Sequence, residues 1–355
     1  MRIYIDESGS FAASPDRPSP SLVGALIVPD GKWDRLSEKY AKLRRQLPTR
    51  NGEVKGALLN ERQVARVVDL LRKNEVIFDA SVIEMSVHPT DQIAAHRAQS
   101  AEGLTINLKP DFHPNVREAA WRLRRQLEGF KDPAYLQSLA AFDLVTRVIE
   151  HGPLYFCQRN PRELGRFEWV IDAKGAFDQE TPWEKWWLQV LLPIVQARSL
   201  RQPGGRLIGG DYSHFARFTW DEVPDYLADM IPASGHRPGL HIDLGKLLRE
   251  CTRFSPDPEP GLEMVDIVTN AARRALVGNL QESGWRDIPR LMIHQKQCYL
   301  HMLLVGATEE VRVRLPYAHV LKRFEVQGRS MMTTHLRLPD EEDRYRTEST
   351  TDTEA

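Results

Sequence analysis

Two apolar stretches of this sequence end on an aspartate, and this feature limits what the chain can fold into. Residues 2–7 alternate like a β-strand and reach Asp6 just before a Ser-Gly turn, and residues 167–172 repeat the pattern up to Asp172. A carboxylate at the end of a buried strand is costly unless it is paired or bound to a cation. The alternative is that each aspartate only caps a turn by accepting hydrogen bonds from nearby backbone amides.

A third acidic position lies in a predicted helix over residues 261–276. Glu263 and Asp266 are three residues apart, so they share one face near the start of this helix. Acidic residues in a first turn interact favourably with the helix dipole, which is a sufficient structural reason for Glu263 but a weaker one for the deeper Asp266. Two strand-end aspartates and such a helix together supply the oxygen ligands that Mg²⁺ or Mn²⁺ requires.

Basic residues accompany the acidic ones. Lys174 follows Asp172 after one residue, where its ammonium group could neutralise a substrate phosphate or pair with a carboxylate. The polar segment 52–56 contains Glu53 and Lys55, and taken alone it indicates a surface turn. From the residues alone, both roles of each lysine stay open.

Taken together, these motifs resemble the DUF3800 family of largely prokaryotic proteins. The family begins with a Tyr-hydrophobic-Asp-Glu-Ser-Gly signature, matched here by Tyr4-Ile5-Asp6-Glu7-Ser8-Gly9, and a second apolar strand follows at 23–28. Its later motifs are matched by Glu53-Val54-Lys55, by Val170-Ile171-Asp172 and by Gly261-Leu262-Glu263-Met264-Val265-Asp266. The last motif departs from the family pattern, because Glu263 and Val265 stand where Gln and Ala are usual. The resemblance covers residues 2 to about 276.

The resemblance implies an RNase H-like α/β fold, in which a mixed central sheet is flanked by helices and carries helical insertions. In such enzymes, carboxylates from the first strand, a later central strand and a late helix gather around two metal ions. The resemblance therefore implies that Asp6, Asp172 and Asp266 bind Mg²⁺ or Mn²⁺ and are catalytic, with Glu53 as a fourth acid. Two such ions would hold the attacking water and the leaving oxygen of a phosphodiester.

Four further residues complete the predicted site. Glu7 faces away from Asp6 on an ideal strand, so it is a secondary metal-ligand candidate. Glu263 is an additional acid that would suit a metal site. Lys55 and Lys174 are assigned to the catalytic set, either as phosphate contacts or as groups that hold a carboxylate in place.

The leading hypothesis is a divalent-metal-dependent nuclease, a hydrolase acting on RNA or DNA. The alternative is a non-catalytic RNase H-like module that binds nucleic acid or a protein partner, in a setting such as anti-phage defence. That alternative predicts acids held in salt bridges with Lys55, Lys174 and neighbouring arginines. A third hypothesis is a homo-oligomer assembled through the aromatic helix near Trp183. RNase H-like enzymes sometimes use a histidine for acid-base chemistry, and His214 or His241 could serve.

Charge and composition are compatible with a nucleic-acid substrate without requiring one. The net charge is −1, but residues 340–355 hold seven acids and two arginines, a charge of −5, which leaves +4 for the rest. No apolar run is long enough for a membrane span. The chain begins with a strand rather than a signal peptide, and its three cysteines are far apart. These features favour a cytoplasmic protein that does not bind membranes.

The periodicity predicts one domain over residues 1–337 with insertions at about 88–133 and 176–240. A disordered acidic tail, 338–355, follows it, because that segment has almost no apolar residues to bury. Helices are also predicted near 221–230 and 287–304.

Two other patterns allow a contact with nucleic acid. The tryptophans at 183, 186 and 187 could stack bases, although packing in a core or against a partner is the favoured interpretation. The basic run at 122–125 could face phosphates, although a solvated helix face is the favoured interpretation there.

Overall fold

A six-stranded mixed sheet organises the part of the chain that the computed structural model describes, residues 1–12, 17–174, 181–228, 230–231, 240–306 and 315–333. Its strands are β1 (Arg2–Ser8), β2 (Pro20–Val28), β3 (Ile77–Glu84), β4 (Glu168–Asp172), β5 (Thr252–Ser255) and β6 (His301–Leu303). The larger helices are α1 (Asp30–Arg44), α2 (Glu61–Lys73), α3 (Thr90–Gly103), α4 (Pro114–Glu128) and α5 (Asp132–Arg159). They are followed by α6 (Pro182–Trp186), α7 (Leu192–Arg201), α8 (Asp225–Ala228), α9 (Pro260–Val277), α10 (Glu282–Trp285) and α11 (Ala318–Arg323).

The order of the strands is β5-β4-β1-β2-β3-β6. Strand β2 runs antiparallel to both of its neighbours, whereas all other neighbouring strands are parallel. The ends of β1, β4 and β5 therefore meet at one edge of the sheet, where loops carry side chains toward each other. This topology confirms the prediction of an α/β protein with a mixed central sheet flanked by helices.

Helices cover both faces of the sheet. Side chains alternate between the faces along each strand, so each face contributes its own set of residues to a buried core. On one face, Ile3 and Ile5 of β1 share a buried core with residues of α5 such as Leu144. On the other face, Tyr4 and Val170 share a second core with α1, α2 and α9. All nine residues of β2 are buried, as expected for a strand that is covered on both sides.

Helix α9 packs closely across β1. A Cβ atom added at Gly261 would lie 2.2 Å from the ring of Tyr4, so only glycine allows this approach. Farther along α9, the side-chain amide of Asn270 donates a hydrogen bond to the Ser8 hydroxyl at the end of β1, at 3.2 Å. The helix is thus fixed over the strand end that carries Asp6.

Two predicted helices are wrong. The segment 287–304 contains only a short 3-10 turn, Ile288–Leu291, and its end forms β6, which pairs with β3. Pro289 lies within this segment and cannot donate an intrahelical hydrogen bond. Of the predicted helix at 221–230, only α8 is helical. Pro224 disfavours a helical backbone conformation at the residue before it, so the helix does not begin earlier.

The insertion predicted at 88–133 folds as α3 and α4, and α4 contains the predicted basic helix. Part of the insertion predicted at 176–240 and the whole predicted tail, 338–355, lie outside the described residues. Within the described ranges, no helix combines the length and apolar character needed to cross a membrane.

Candidate functional site

The register of two parallel strands places Asp6 and Asp172 side by side. Tyr4 pairs with Val170 in the β1–β4 ladder. Each aspartate lies two residues beyond one of these paired residues, so both side chains project from the same face of the sheet. This is the face that α9 covers.

Helix α9 brings Asp266 to the same place. The carboxyl groups of Asp266 and Asp6 are close enough to share a side-chain hydrogen bond. The second oxygen contact of Asp266 is the backbone N–H of Gly56, which donates to Oδ2 at 2.6 Å. The three aspartates predicted as metal ligands therefore occupy one edge of the sheet.

Burial disfavours the charged forms of both carboxyls, and neighbouring carboxylates add to this effect. Burial raises the pKa of the Asp6 carboxyl well above its usual range, and the negative charges of Glu7 and Asp266 raise it further. Burial also raises the pKa of Asp266, although the Gly56 N–H and the Lys55 ammonium partly oppose this effect. Two adjacent, partly buried carboxyls cannot both ionise cheaply, so either a proton or a cation stabilises the pair.

A tight turn delivers Glu53 and Lys55 to the cluster. Asn51 and Gly52 have φ angles of 53° and 80°, and paired backbone hydrogen bonds join Arg50 to Glu53 across them. Asn-Gly is favoured where both central residues need positive φ. The prediction of a turn in this segment is confirmed, and the turn opens directly onto α9.

After this turn, the chain runs along α9 and is held there by two carboxylates. The N–H of Val54 donates to Glu263 at 2.9 Å, and the N–H of Gly56 donates to Asp266. A Cβ atom at Gly56 would lie 2.9 Å from the Ile267 Cα, so glycine permits the close approach. We call residues 52–56 the clamped loop.

Glu263 stabilises the clamped loop and does not join the aspartates. Its fully buried carboxylate accepts two hydrogen bonds from the Arg44 guanidinium, both at 2.7 Å, and one from the Tyr40 hydroxyl at 2.9 Å. With the Val54 N–H, four donors saturate its oxygens. The prediction of Glu263 as a metal ligand is therefore corrected, since this carboxylate is already compensated by an arginine.

Both predicted lysines pair with carboxylates. Lys174 Nζ lies 2.6 Å from Glu7 and 2.9 Å from Asp172, and Lys55 Nζ lies 2.7 Å from Glu53. Burial acts to lower the pKa of Lys174, but the charges of Glu7 and Asp172 outweigh it and raise the pKa overall. The pKa of Lys55 is also raised, because its ion pair with Glu53 outweighs the opposing effect of burial.

The cluster keeps excess negative charge. Its five carboxyls belong to Asp6, Glu7, Glu53, Asp172 and Asp266, and two ammonium groups oppose them, which leaves three negative charges when all are ionised. Within the described part of the chain, no group of three or more His, Cys, Asp or Glu side chains is already spaced to hold a metal ion. Lys174 lies between Glu7 and Asp172, and Lys55 pairs with Glu53, so metal binding by these carboxylates would require the ion pairs to open.

The candidate histidines lie elsewhere. His214 packs against Gly165, which precedes β4, whereas Asp172 ends that strand. His214 is thus at the opposite end of β4 from the cluster. His241 lies just after the second insertion, where its backbone carbonyl accepts a hydrogen bond from the backbone N–H of Trp220.

The tryptophans pack inside the protein. Trp186 and Trp187 are 4% and 3% exposed, and Trp183 stacks on Trp186 with ring centroids 5.1 Å apart. The favoured packing interpretation is therefore confirmed for Trp186 and Trp187. In the basic run, Arg124 pairs with Glu128 at 2.8 Å on the surface of α4, as expected of a solvated helix face.

Three residues near the cluster were not predicted. Arg44 and Tyr40 hold Glu263, and the buried carboxylate of Glu184 accepts a hydrogen bond from the Lys174 N–H at 2.8 Å. Glu184 had a sequence signal, since Thr181 and Glu184 form the Thr-x-x-Glu capping box that starts α6. Arg44 and Tyr40 had no such sequence signal, because they are more than 200 residues from Glu263 and contact it only in the folded chain.

No family model matches the chain, and no similar protein is found among curated proteins or solved structures.

Proposed function

We propose that this protein is a divalent-metal-dependent nuclease, with Asp6, Asp172 and Asp266 as the principal metal ligands. The observation that carries the proposal is the contact between the carboxyls of Asp6 and Asp266 at the end of β1. Adjacent carboxyls that are partly shielded from solvent are an arrangement that a bound cation stabilises. Glu53 and Glu7 are close enough to the aspartates to influence them electrostatically, and both belong to the proposed site.

The side chains of the cluster suit Mg²⁺ or Mn²⁺. All of its potential ligands are carboxylate oxygens, which these hard cations prefer over nitrogen or sulfur. Burial raises the pKa of both Asp6 and Asp266, and neighbouring carboxylates add to the shift, so the ionised forms of these groups would gain from a bound cation. When bound, a pair of such ions would activate water and stabilise the leaving oxygen of a phosphodiester. Lys55 and Lys174, freed from their carboxylates, would then be available to phosphate.

The sheet supports an RNase H-like fold. Strand β1 lies near its centre, β2 alone is reversed, and the three aspartates come from the first strand, a neighbouring later strand and a late helix. This is the distribution of acids that the resemblance to DUF3800 implies. Membership of that family is part of the proposal, and it rests on the motifs and on this placement.

A non-catalytic binding module is the second candidate, and one observation favours it. Lys174 bridges Glu7 and Asp172, and Lys55 pairs with Glu53, as expected for acids held permanently in salt bridges. In that case the cluster stabilises the fold, and the protein binds nucleic acid or a partner without cleaving it.

Cleavage assays distinguish the two candidates. Labelled single- and double-stranded RNA, DNA and hybrid duplexes are incubated with Mg²⁺ or Mn²⁺ and with wild type, Asp6→Asn or the exposed control Asp34→Asn. The nuclease predicts cleavage that requires metal, disappears in Asp6→Asn and persists in Asp34→Asn. Cleavage that survives Asp6→Asn would refute this site. No cleavage by wild type, together with no Mn²⁺ binding by calorimetry, would establish the binding module instead.

A further inference from the structure

A large cavity lies away from the acidic cluster, among helices of the two insertions. Its volume is about 650 Å³, which falls within the range typical of small-molecule sites. Apolar side chains from α4, α5 and α7 form its floor and walls: Val116, Ala120, Leu123, Phe142 and Leu192. Of these, Val116, Ala120, Leu123 and Leu192 are at least nine-tenths buried.

Gln196, a buried polar residue in the wall of this cavity, already has its hydrogen-bond partners. Gln196 is buried, and its amide donates to the Ile242 carbonyl at 3.0 Å and accepts from the Leu244 N–H at 3.0 Å. The inner wall therefore favours an apolar ligand body, because a polar body would lose its hydrogen bonds to water without replacement.

Three exposed arginines line the cavity, and their exposure places them on its solvent side, where the opening lies. Arg198, Arg201 and Arg249 line the cavity and are exposed, and no carboxylate of the described residues pairs with them. The Arg198 guanidinium lies 5.9 Å from the centre of the Phe142 ring, which turns it toward the apolar wall. Asp243, the acid in the lining, lies 3.7 Å from Lys246. The opening thus presents guanidinium groups, which bind carboxylates through paired hydrogen bonds.

From this combination we infer that the cavity binds an amphipathic carboxylate. The aliphatic or aromatic body of the ligand lies between α4 and α7, and its carboxylate pairs with the arginines at the opening. Apolar burial supplies the affinity, and the guanidinium groups supply the preference for an anion. This site is separate from the proposed nuclease centre and does not depend on it.

Titration calorimetry with the full chain tests the inference, with decanoate as the probe. Decanol has the same chain without the charge, and acetate has the charge without the chain. The inference predicts saturable binding of decanoate, affinity weaker by about tenfold or more for decanol, and no detectable binding of acetate. Equal affinity for decanoate and decanol would overturn the role of the arginines, and no saturable binding of decanoate would overturn the site.

Matched variants locate the binding. Ala120→Phe fills the floor, and Arg201→Gln removes one guanidinium from the opening, whereas Arg62→Gln removes an exposed arginine from α2. We expect the first two variants to weaken decanoate binding by about tenfold and Arg62→Gln to leave it unchanged. If Ala120→Phe does not fold, as judged by circular dichroism, the comparison of Arg201→Gln with Arg62→Gln tests whether decanoate binds at this cavity. Equal binding by these two arginine variants would contradict the inference.

Discussion

The carboxyl groups of Asp6 and Asp266 are close enough to share a hydrogen bond, although Asp6 lies near the end of the first strand and Asp266 belongs to a late helix. Burial and repulsion raise the pKa of both groups. Such a pair is stabilised either by a retained proton or by a bound cation. This competition between proton and metal gives the proposed function its measurable consequences.

Metal binding should release protons. A carboxyl with a raised pKa keeps its proton up to a higher pH in the metal-free protein, and a cation that binds it displaces that proton. Calorimetric titration with Mn²⁺ in two buffers of different ionisation enthalpy should therefore give different apparent enthalpies, and the affinity should increase as the pH rises. Identical enthalpies in both buffers would contradict proton displacement by the metal.

Asp6→Asn should stabilise the metal-free protein at neutral pH. Above the unfolded pKa of about 3.9, the folded state binds more protons than the unfolded state, so stability falls as pH rises toward the raised folded pKa. Removing this carboxyl should therefore raise the free energy of unfolding. Denaturant titration in EDTA measures this, with Asp34→Asn as the exposed control. A loss of stability in Asp6→Asn would show that its charge is already compensated.

Glu263 and Asp266 should respond differently to neutral substitutions. Glu263→Gln weakens the contact with Arg44 and should lower the free energy of unfolding by about 1–3 kcal/mol, as for hydrogen bonds to charged groups. It should leave Mn²⁺ affinity nearly unchanged, because Glu263 is not in the cluster. Asp266→Asn should abolish Mn²⁺ binding. Equal loss of metal affinity in both variants would reinstate Glu263 as a ligand.

Two helical glycines should differ in their tolerance of alanine. Gly261 faces the ring of Tyr4, so Gly261→Ala forces α9 away from β1 and should cost about 1–3 kcal/mol, as for other overpacked cores. Gly103 has no atom within 4 Å of an added Cβ, so Gly103→Ala should be neutral or stabilising by up to about 1 kcal/mol. Thermal unfolding of both variants measures the difference. Equal melting temperatures would contradict the close packing of α9.

The strands near the cluster could be predicted because their hydrophobic patterns are strong. Residues 2–7 and 167–172 match β1 and β4 closely, and the predicted helix at 261–276 matches α9. Helix α3 was not predicted, because only Ile93 and Ala101 of its residues are buried and its sequence lacks an apolar stripe.

Tertiary packing determines two features that the sequence pattern does not reveal, the extent of α5 and the role of Glu263. A proline inside a helix usually ends or kinks it, yet α5 continues through Pro153 to Arg159, where Phe156 and Cys157 are buried in the core. Glu263 resembled a ligand in sequence, but Arg44 and Tyr40 meet it only after α1 packs near α9. The placement of charges within the site thus depended on long-range contacts that local spacing does not encode.

The most direct test of the proposed metal centre is a crystal structure of the protein soaked in Mn²⁺, with anomalous differences measured for the metal. The proposal predicts Mn²⁺ between the carboxyls of Asp6, Asp172 and Asp266, with Lys174 moved away from Asp172. An anomalous map without a peak there, with Lys174 still paired to Glu7 and Asp172 at saturating Mn²⁺, would contradict the metal-dependent nuclease.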